Sequence, residues 1–308
     1  MKYLKNLLTR IIDENKKYVD LGNVADYIPE LKKANKEDLG VYIYTTDNEE
    51  YFAGDYDKKF SIQSISKIVT LMLALIENGE EYVFEKVGVE PTADSFNSIV
   101  SLETKNFHKP LNPMINSGAI AVISMISGNK DEEPIDRILK FIRKITDNED
   151  IKINEKIYLS EKETGHRNRA LSYFMKSTNI LEKNVEEVLD TYFKACSIEV
   201  TCKDIAKIAC VLANGGILPW NKEKVIPRKV TRIIKTIMVT CGMYDASGEF
   251  AVSVGVPSKS GVGGGILSSV PSRMGIGVYG PALDSKGNSI GGIKVLEELS
   301  ERLDLSIF

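Results

Sequence analysis

Histidine is scarce in this chain, whose 308 residues include only His108 and His166, far apart in the sequence. The four cysteines form no C-x-x-C pair and have no histidine-rich tract beside them, which argues against a zinc site. We therefore expect neither a metal nor another cofactor. With apolar neighbours such as Ile208 and Val211, the cysteines are expected to be small core residues in a reducing compartment. They are Cys196, Cys202, Cys210 and Cys241.

Long apolar runs and a strong excess of one charge are missing as well. No stretch approaches the roughly eighteen uninterrupted apolar residues of a membrane span. Arg10, Asp13 and Glu14 interrupt any apolar segment of the kind that forms an export signal. The formal net charge of -3 gives no reason to expect nucleic acid or an anionic membrane as a partner. The expected location is the cytoplasm.

The strongest positive signal is a serine and a lysine at the start of an apolar helical pattern. Apolar residues at helical spacing run from Ile65 to Ile76, so a buried helix is predicted to begin near Ser64. Ser64 and Lys67 then share one helix face. A partly desolvated lysine can accept the serine proton, and a helix N-terminus offers N–H groups to an oxyanion. The pattern indicates acyl transfer, although a capping serine followed by a surface lysine has the same spacing.

Two later segments combine polar side chains with small residues. Asn116 stands among small and apolar residues, where an amide is either a structural tie or a ligand contact. Glu161 and Asn168 belong to a charged stretch with two readings. It is either a solvated helix start, with Ser160 and Glu163 as a capping box, or one wall of a binding cleft.

Two glycine-rich segments follow near the end of the chain. Tyr244 lies beside small residues, so its hydroxyl either reaches a cleft or stays in water. Residues 257–265 (PSKSGVGGG) indicate a close approach of the backbone to a ligand. In Ser-x-x-Lys enzymes a Lys-Ser/Thr-Gly strand borders the active site and supplies an oxyanion N–H.

The order of the predicted elements favours an α+β fold. A hairpin near the start and strands near the end predict one antiparallel sheet built from both ends of the chain, with a helical lobe inserted between them. The predicted helices cover about 2–17, 64–79, 80–87, 114–127, 134–147, 164–176, 184–196, 201–213, 227–241 and 289–303. The predicted strands cover about 39–46, 50–54, 248–253, 265–270 and 274–279.

Six motifs, in this order, resemble those of the serine-dependent glutaminases of the β-lactamase-like fold, in the bacterial-length form. They are 24–29 (VADYIP), 63–67 (QSISK), 112–119 (NPMINSGA), 196–200 (CSIEV), 241–245 (CGMYD) and 259–262 (KSGV). The resemblance implies one domain of the β-lactamase/penicillin-binding-protein type. Its α/β lobe would comprise about 1–65 and 225–308, and its helical lobe about 66–224.

That resemblance also implies a reaction, the hydrolysis of L-glutamine to L-glutamate and ammonia without a cofactor. Ser64 would be the nucleophile, Lys67 its activator and Tyr244 a proton relay. The backbone N–H groups of Ser64 and Val262 would form the oxyanion hole. The residues that would contact the substrate are Tyr27, Ser64, Asn116, Glu161, Asn168, Tyr192, Tyr244 and Val262. A homodimer or homotetramer is expected.

Two alternatives stay open on the sequence. A β-lactam-hydrolysing or penicillin-binding enzyme shares the Ser-x-x-Lys and Lys-Ser-Gly motifs, although this chain has no Ser-Asp-Asn triplet. A non-catalytic amino-acid-binding module of the same fold is the second. Such a module would be expected to have lost its catalytic groups, yet Ser64, Lys67 and Tyr244 are all present.

Overall fold

Strands from both ends of the chain meet in one sheet. The computed structural model describes residues 2–92, 94–104, 109–128 and 132–308, so His108 lies outside the described residues. The strands are β1 (Gly40–Thr45), β2 (Glu50–Gly54), β3 (Phe60–Ser61), β4 (Glu199–Val200), β5 (Ser258–Ser260), β6 (Gly265–Val270) and β7 (Met274–Tyr279). Five of them form an antiparallel sheet in the order β2-β1-β7-β6-β5, while β3 pairs with β4.

Helices surround this sheet and fill the middle of the chain. They are α1 (Lys2–Asn15), α2 (Ser66–Lys86), α3 (Val100–Thr104), α4 (Asn116–Met125), α5 (Pro134–Thr146), α6 (Glu155–Thr164), α7 (His166–Ser177), α8 (Val185–Cys196), α9 (Cys202–Ala213), α10 (Arg228–Cys241), α11 (Ser247–Ser253) and α12 (Ile290–Leu303). Among the described helices, none combines the length and the hydropathy that crossing a bilayer requires.

Strand β1 shows how the sheet separates two hydrophobic cores. Successive side chains of a strand point to opposite faces. Val41 and Ile43 join the core formed with α1 and α12. Tyr42 and Tyr44 join the larger core, which includes α9 and the helices of the middle segment. Because both faces are covered, all four side chains are buried.

Two glycines of β7 let α9 lie directly on the sheet. A Cβ atom at Gly275 would stand 2.0 Å from the carbonyl oxygen of Ala206, and one at Gly277 would stand 2.1 Å from that of Cys202. Both carbonyls belong to α9, so the helix backbone contacts the strand backbone without intervening side chains. This close packing requires glycine at both positions.

Helix α2 carries Lys67, the lysine of the Ser-x-x-Lys motif, into the larger core. All its residues from Ser66 to Leu75 are buried. The helix was predicted to end near residues 78–79 and a new one to begin at 80. Gly79, with φ 77° and ψ 166°, is non-helical, so the range Ser66–Lys86 consists of two helical segments that meet at a kink where the break was predicted.

One predicted strand is wrong, because residues 248–253 lie in helix α11. Phe250 and Val254 are the buried apolar positions, and their four-residue spacing is that of a helix face. In a strand, Val252 would share their face. It is instead 92% exposed.

The charged stretch around Glu161 also folds differently from the prediction. Residues 155–164 form α6, for which no helix was predicted, and Ser160 and Glu163 lie inside it instead of capping it. The cap is Asn154, whose side chain accepts hydrogen bonds from the backbone N–H groups of Lys156 and Ile157 at 3.1 Å each.

We expect Gly275→Ala to destabilise the protein by about 3 kcal/mol, because the new methyl group would overlap the backbone of α9. Urea unfolding monitored by circular dichroism measures the change. Gly248→Ala is the matched control. A Cβ atom there meets nothing within 4 Å, and alanine in a helix is favoured by up to about 1 kcal/mol. Equal stability of the two variants would contradict the packing described for α9.

Candidate active site

Ser64 is presented by a strained turn just before α2. It is the middle residue of a single 3-10 turn, Gln63–Ile65, and α2 itself begins at Ser66. Gln63 has φ 47°, in the left-handed region that non-glycine residues seldom occupy. The N–H of Ile62 donates to the carbonyl of Ile198 at 2.8 Å and anchors the turn to the segment that follows α8. The serine is thus held, nearly buried, at the floor of a cavity.

Lys67 lies one helical turn away and is only 1% exposed. Its Nζ donates to the carbonyl oxygen of Met114 at 3.0 Å and to Oδ1 of Asn116 at 2.8 Å, both uncharged acceptors. Burial lowers the pKa of Lys67 to about 8, and the charge of Glu161 only partly opposes that shift. An amine with this pKa can exchange a proton near neutral pH.

Tyr244 approaches the serine from the turn that follows α10. Its own φ is 54°, and the Ser247 hydroxyl fastens the turn by donating to the Tyr244 carbonyl at 2.8 Å. The Tyr244 hydroxyl is buried, and within the described structure it meets no partner at hydrogen-bond geometry. Burial raises its pKa, while Ser64, Ser260 and the backbone of Val262 lie near enough to oppose this shift.

The glycine-rich turn after β5, which includes Val262, packs against the segment that leads to Ser64. Gly261 donates to Gly265 and Gly264 donates to Gly261, each at 2.9 Å. A Cβ atom at Gly263 would stand 2.4 Å from the carbonyl oxygen of Ser61. The loop therefore packs directly on the segment that leads to the Ser64 turn, as the close backbone approach predicted from the sequence requires.

Six of the residues predicted to hold a substrate line one cavity of about 90 Å³. Tyr244 and Val262 are not part of its walls, and Tyr244 lines a smaller cavity of about 20 Å³. Its walls are formed by Tyr27, Ile28, Gln63, Ser64, Phe96, Asn97, Asn116, Glu161, Thr164, Gly165, Arg167, Asn168, Tyr192 and Cys196. Larger surface hollows, of up to about 840 Å³, contain none of the predicted residues. Chemical composition, not size, therefore distinguishes this cavity.

An amide relay links the lysine to the cavity wall. Asn116, the first residue of α4, accepts from Lys67 through Oδ1 and donates through Nδ2 to Oδ1 of Asn168 at 3.0 Å. Because an ammonium group can only donate, Lys67 fixes the orientation of the first amide. Asn168, in the first turn of α7, keeps its own NH2 group for another partner.

Glu161 supplies the negative charge of the cavity. It is buried on α6, and its Oε1 has no hydrogen-bond partner among the described residues. Burial raises the pKa of this carboxyl to about 7, although Gln63 and Lys67 act to lower it. A buried carboxylate oxygen without a partner is suited to a cationic ligand.

Two tyrosines complete the walls. Tyr192 on α8 is buried, whereas Tyr27 is 53% exposed and stands at the mouth of the cavity. The charges of Glu161 and Tyr244 both act on Tyr27, so its hydroxyl belongs to the same cluster.

Sequence reasoning gave no role to three residues at the site. Gln63 and Cys196 line the cavity, and Lys259 lies behind Tyr244. Gln63 directly precedes Ser64, and Lys259 is the first residue of the Lys-Ser-Gly motif. Both positions in the sequence therefore indicated a place near the site. Cys196 was taken as core only. Among the described residues there is no group of three His, Cys, Asp or Glu side chains that could hold a metal ion.

An antiparallel sheet covered by helices, with a buried serine and lysine one turn apart beside strand β5, defines the β-lactamase-like class of proteins. Comparison with known sequences identifies the family within this class. The model of the family described as Glutaminase matches residues 22–308. The chain is 63% identical to glutaminase 2 of Clostridium perfringens over 305 residues, which is 99% of this chain and 100% of that protein. The chain belongs to the glutaminase family.

Solved structures agree with this assignment. A Bacillus glutaminase has a TM-score of 0.92 and 40% identity, with 99% of both chains covered. The Bacillus subtilis glutaminase in covalent complex with 5-oxo-L-norleucine, formed by reaction with 6-diazo-5-oxo-L-norleucine, has a TM-score of 0.89 and 39% identity, again with 99% of both chains covered. The predicted fold class, family and glutaminase activity are confirmed.

Glu161 predicts a pH dependence of stability in the ligand-free protein. Its pKa rises from 4.5 to about 7 on folding, so the folded state binds more protons than the unfolded state between these values. Its contribution to stability is therefore complete below about pH 4.5 and is lost as the pH rises through 7. The shift corresponds to about 3 kcal/mol.

Urea unfolding at pH 5 and pH 8 tests this expectation. Glu161→Gln is expected to remove most of that pH-dependent loss, because glutamine has no proton to release. Glu163→Gln, an exposed position on the same helix, is the control and is expected to keep the wild-type pH dependence. Identical pH dependence in all three proteins would contradict the burial of a titrating carboxyl at position 161.

Proposed function

We propose that this chain hydrolyses L-glutamine through a glutamyl ester on Ser64. One observation carries the proposal. A single small cavity is lined by a buried serine, which lies one turn from a lysine of lowered pKa, and by a buried carboxylate oxygen that has no hydrogen-bond partner among the described residues. The first pair suits acyl transfer and the second suits the α-ammonium group of a free amino acid.

Substrate recognition follows from the charges of the two ends of glutamine. Glu161 would bind the α-ammonium group, since it is the buried anion of the cavity. Asn168, Tyr27 and Tyr192 would donate to the α-carboxylate without adding a fixed positive charge. With both α-groups held, the side chain is directed at Ser64 and its carboxamide reaches the nucleophile.

The first chemical step forms a tetrahedral intermediate, which becomes the ester when ammonia leaves. Ser64 Oγ attacks the carboxamide carbon while its proton passes to Lys67, whose pKa of about 8 makes it the better base of the two candidates. The N–H groups of Ser64 and Val262 would stabilise the negative oxygen of the tetrahedral intermediate. One such donor is typically worth about 3 kcal/mol in the transition state.

The second step releases ammonia and then glutamate. Tyr244, with its hydroxyl near Ser64, would carry the proton to the departing nitrogen, so that the C–N bond breaks and ammonia leaves. Water then attacks the ester, gives its proton back through the same groups, and regenerates the Ser64 hydroxyl. The covalent 5-oxo-L-norleucine complex of the Bacillus subtilis relative supports a covalent mechanism of this kind.

The organisation into lobes is part of the same proposal. An α/β lobe of about 1–65 and 225–308 and a helical lobe of about 66–224 would place the cavity between them. The two hydrophobic cores support this division, although α9, within the second range, packs on the sheet. The cytoplasmic location, the homodimer or homotetramer, and the absence of nucleic-acid and membrane partners stay predictions from the sequence.

Ser64→Ala is expected to lower ammonia release from glutamine at least about 10⁴-fold, because the ester can no longer form. Glutamine binding, measured by calorimetry, should persist because the proposed α-group contacts are untouched. Ser61→Ala, which removes another buried hydroxyl three residues earlier, is expected to keep near-normal activity. Near-normal activity of Ser64→Ala would show that the nucleophile is a different residue.

A substrate panel tests the recognition scheme. Asparagine is one methylene shorter, so with its α-groups held by Glu161 and Asn168 its carboxamide would stop short of Ser64. We expect kcat/KM for asparagine to be lower than for glutamine by about 100-fold or more. Coupled glutamate and aspartate assays with the purified protein measure both rates. Comparable values would refute the proposed anchoring of the α-groups.

A further inference from the structure

A second buried lysine stands behind the catalytic tyrosine. Lys259 is 0% exposed, and its Nζ lies 4.3 Å from the centroid of the Tyr244 ring. The same atom donates to the carbonyl oxygen of Gly242 at 3.0 Å and to that of Ser260 at 2.5 Å. Lys259 therefore contacts the proposed proton relay without lining the cavity itself.

The two carbonyls belong to different parts of the fold. Gly242 follows α10, two residues before Tyr244, and Ser260 ends β5, two residues before Val262. The N–H of Ser260 also donates to the Gly242 carbonyl at 3.2 Å. Lys259 thus fastens together the two segments that deliver the tyrosine and the proposed oxyanion donor.

Lys259 has no carboxylate partner in the described part of the chain. The charged and titratable groups that act on it are the Lys67 amine and the Cys241 thiol. Its own compensation comes from two carbonyl dipoles and the negative face of an aromatic ring. A lysine buried in this way without an anion is costly to retain for packing alone, since an apolar side chain would fill the same space.

Tyr244 is the residue that benefits from this contact. Its backbone is in the left-handed region, and among the described residues its hydroxyl has no partner at hydrogen-bond geometry that would fix the ring. Phe96 contacts the ring, with the centroids 5.0 Å apart, but Phe96 is itself only partly buried. The ring also packs against a small apolar cluster that includes Val262, and the Lys259 amine is the buried polar group over its face.

We propose that Lys259 is a positioning residue, which holds the Tyr244 ring so that its hydroxyl faces Ser64. The inference rests on the proposed function, in which Tyr244 relays protons. Burial and the nearby Lys67 amine lower the pKa of Lys259 well below its ordinary value, so the role rests on the contacts of the side chain and not on a fixed charge. The Ser260 N–H joins the two segments without the lysine, so the effect that we assign to Lys259 is the one made through Tyr244.

A double-mutant cycle between Lys259 and Tyr244 tests this role. Lys259→Met keeps the length of the side chain and removes the charge and the donors. We expect it to lower kcat by about 10- to 100-fold through misplacement of the hydroxyl, with KM for glutamine changed by less than about threefold. In a Tyr244→Phe background the same substitution is expected to change kcat by less than about twofold, because no hydroxyl is left to position.

Lys207→Met is the matched control. Lys207 is also buried and lies over the rings of Trp220 and Tyr44, at 4.7 and 5.3 Å, but far from the cavity residues in the fold. We expect it to keep wild-type kcat. If Lys259→Met does not fold, Lys259→Gln keeps a donor for the carbonyls and enters the same cycle.

The outcomes separate the two proposals. Wild-type kcat in Lys259→Met, or an equal loss from that substitution with and without the Tyr244 hydroxyl, would overturn the positioning role. Wild-type kcat in Tyr244→Phe would instead overturn the relay role proposed for the tyrosine. A loss of kcat confined to the background that retains the hydroxyl supports both.

Discussion

A lysine amine buried with only uncharged hydrogen-bond acceptors is the constraint on which this site depends. Lys67 has no access to water, so its charged form is penalised and its pKa falls to about 8. The buried amine is stabilised because Met114 and Asn116 accept its hydrogen bonds. Both acceptors lie at the beginning of α4, so the packing of α4 against α2 sets the basicity of the catalytic lysine.

Close to this lysine is a carboxyl whose pKa burial shifts in the opposite direction. Burial disfavours the charge on Glu161 as well, and each group only partly offsets the penalty of the other. In the binding mode proposed above, a zwitterionic amino acid would resolve the mismatch by giving Glu161 a cation and the amides an anion. The ligand-free site is therefore electrostatically incomplete, which favours small substrates with separated charges over neutral ones.

Sequence reasoning located four strands of the sheet and the apolar helix that follows Ser64, because those signals are local. Alternation along β1 and helical spacing after Ser64 depend on neighbouring residues only. It failed at residues 248–253, where β-branched and aromatic residues suggested a strand and packing of Phe250 and Val254 selected a helix. It also missed α6, since a helix with only Tyr158 and Glu161 buried has almost no apolar pattern.

The sequence by itself determined the chemistry available, namely a serine and a lysine on one helical face and a glycine-rich turn that permits close backbone approach. The six motifs determined the family as well. Only the tertiary structure decided which polar groups are buried. Whether Glu161 and Lys259 are solvated or sealed depends on helices and strands remote in the chain, because desolvation is a property of everything packed around a charge. That burial gives Lys67, Glu161 and Lys259 the properties on which their proposed roles depend, as the base, the ligand of the ammonium group and the positioning residue.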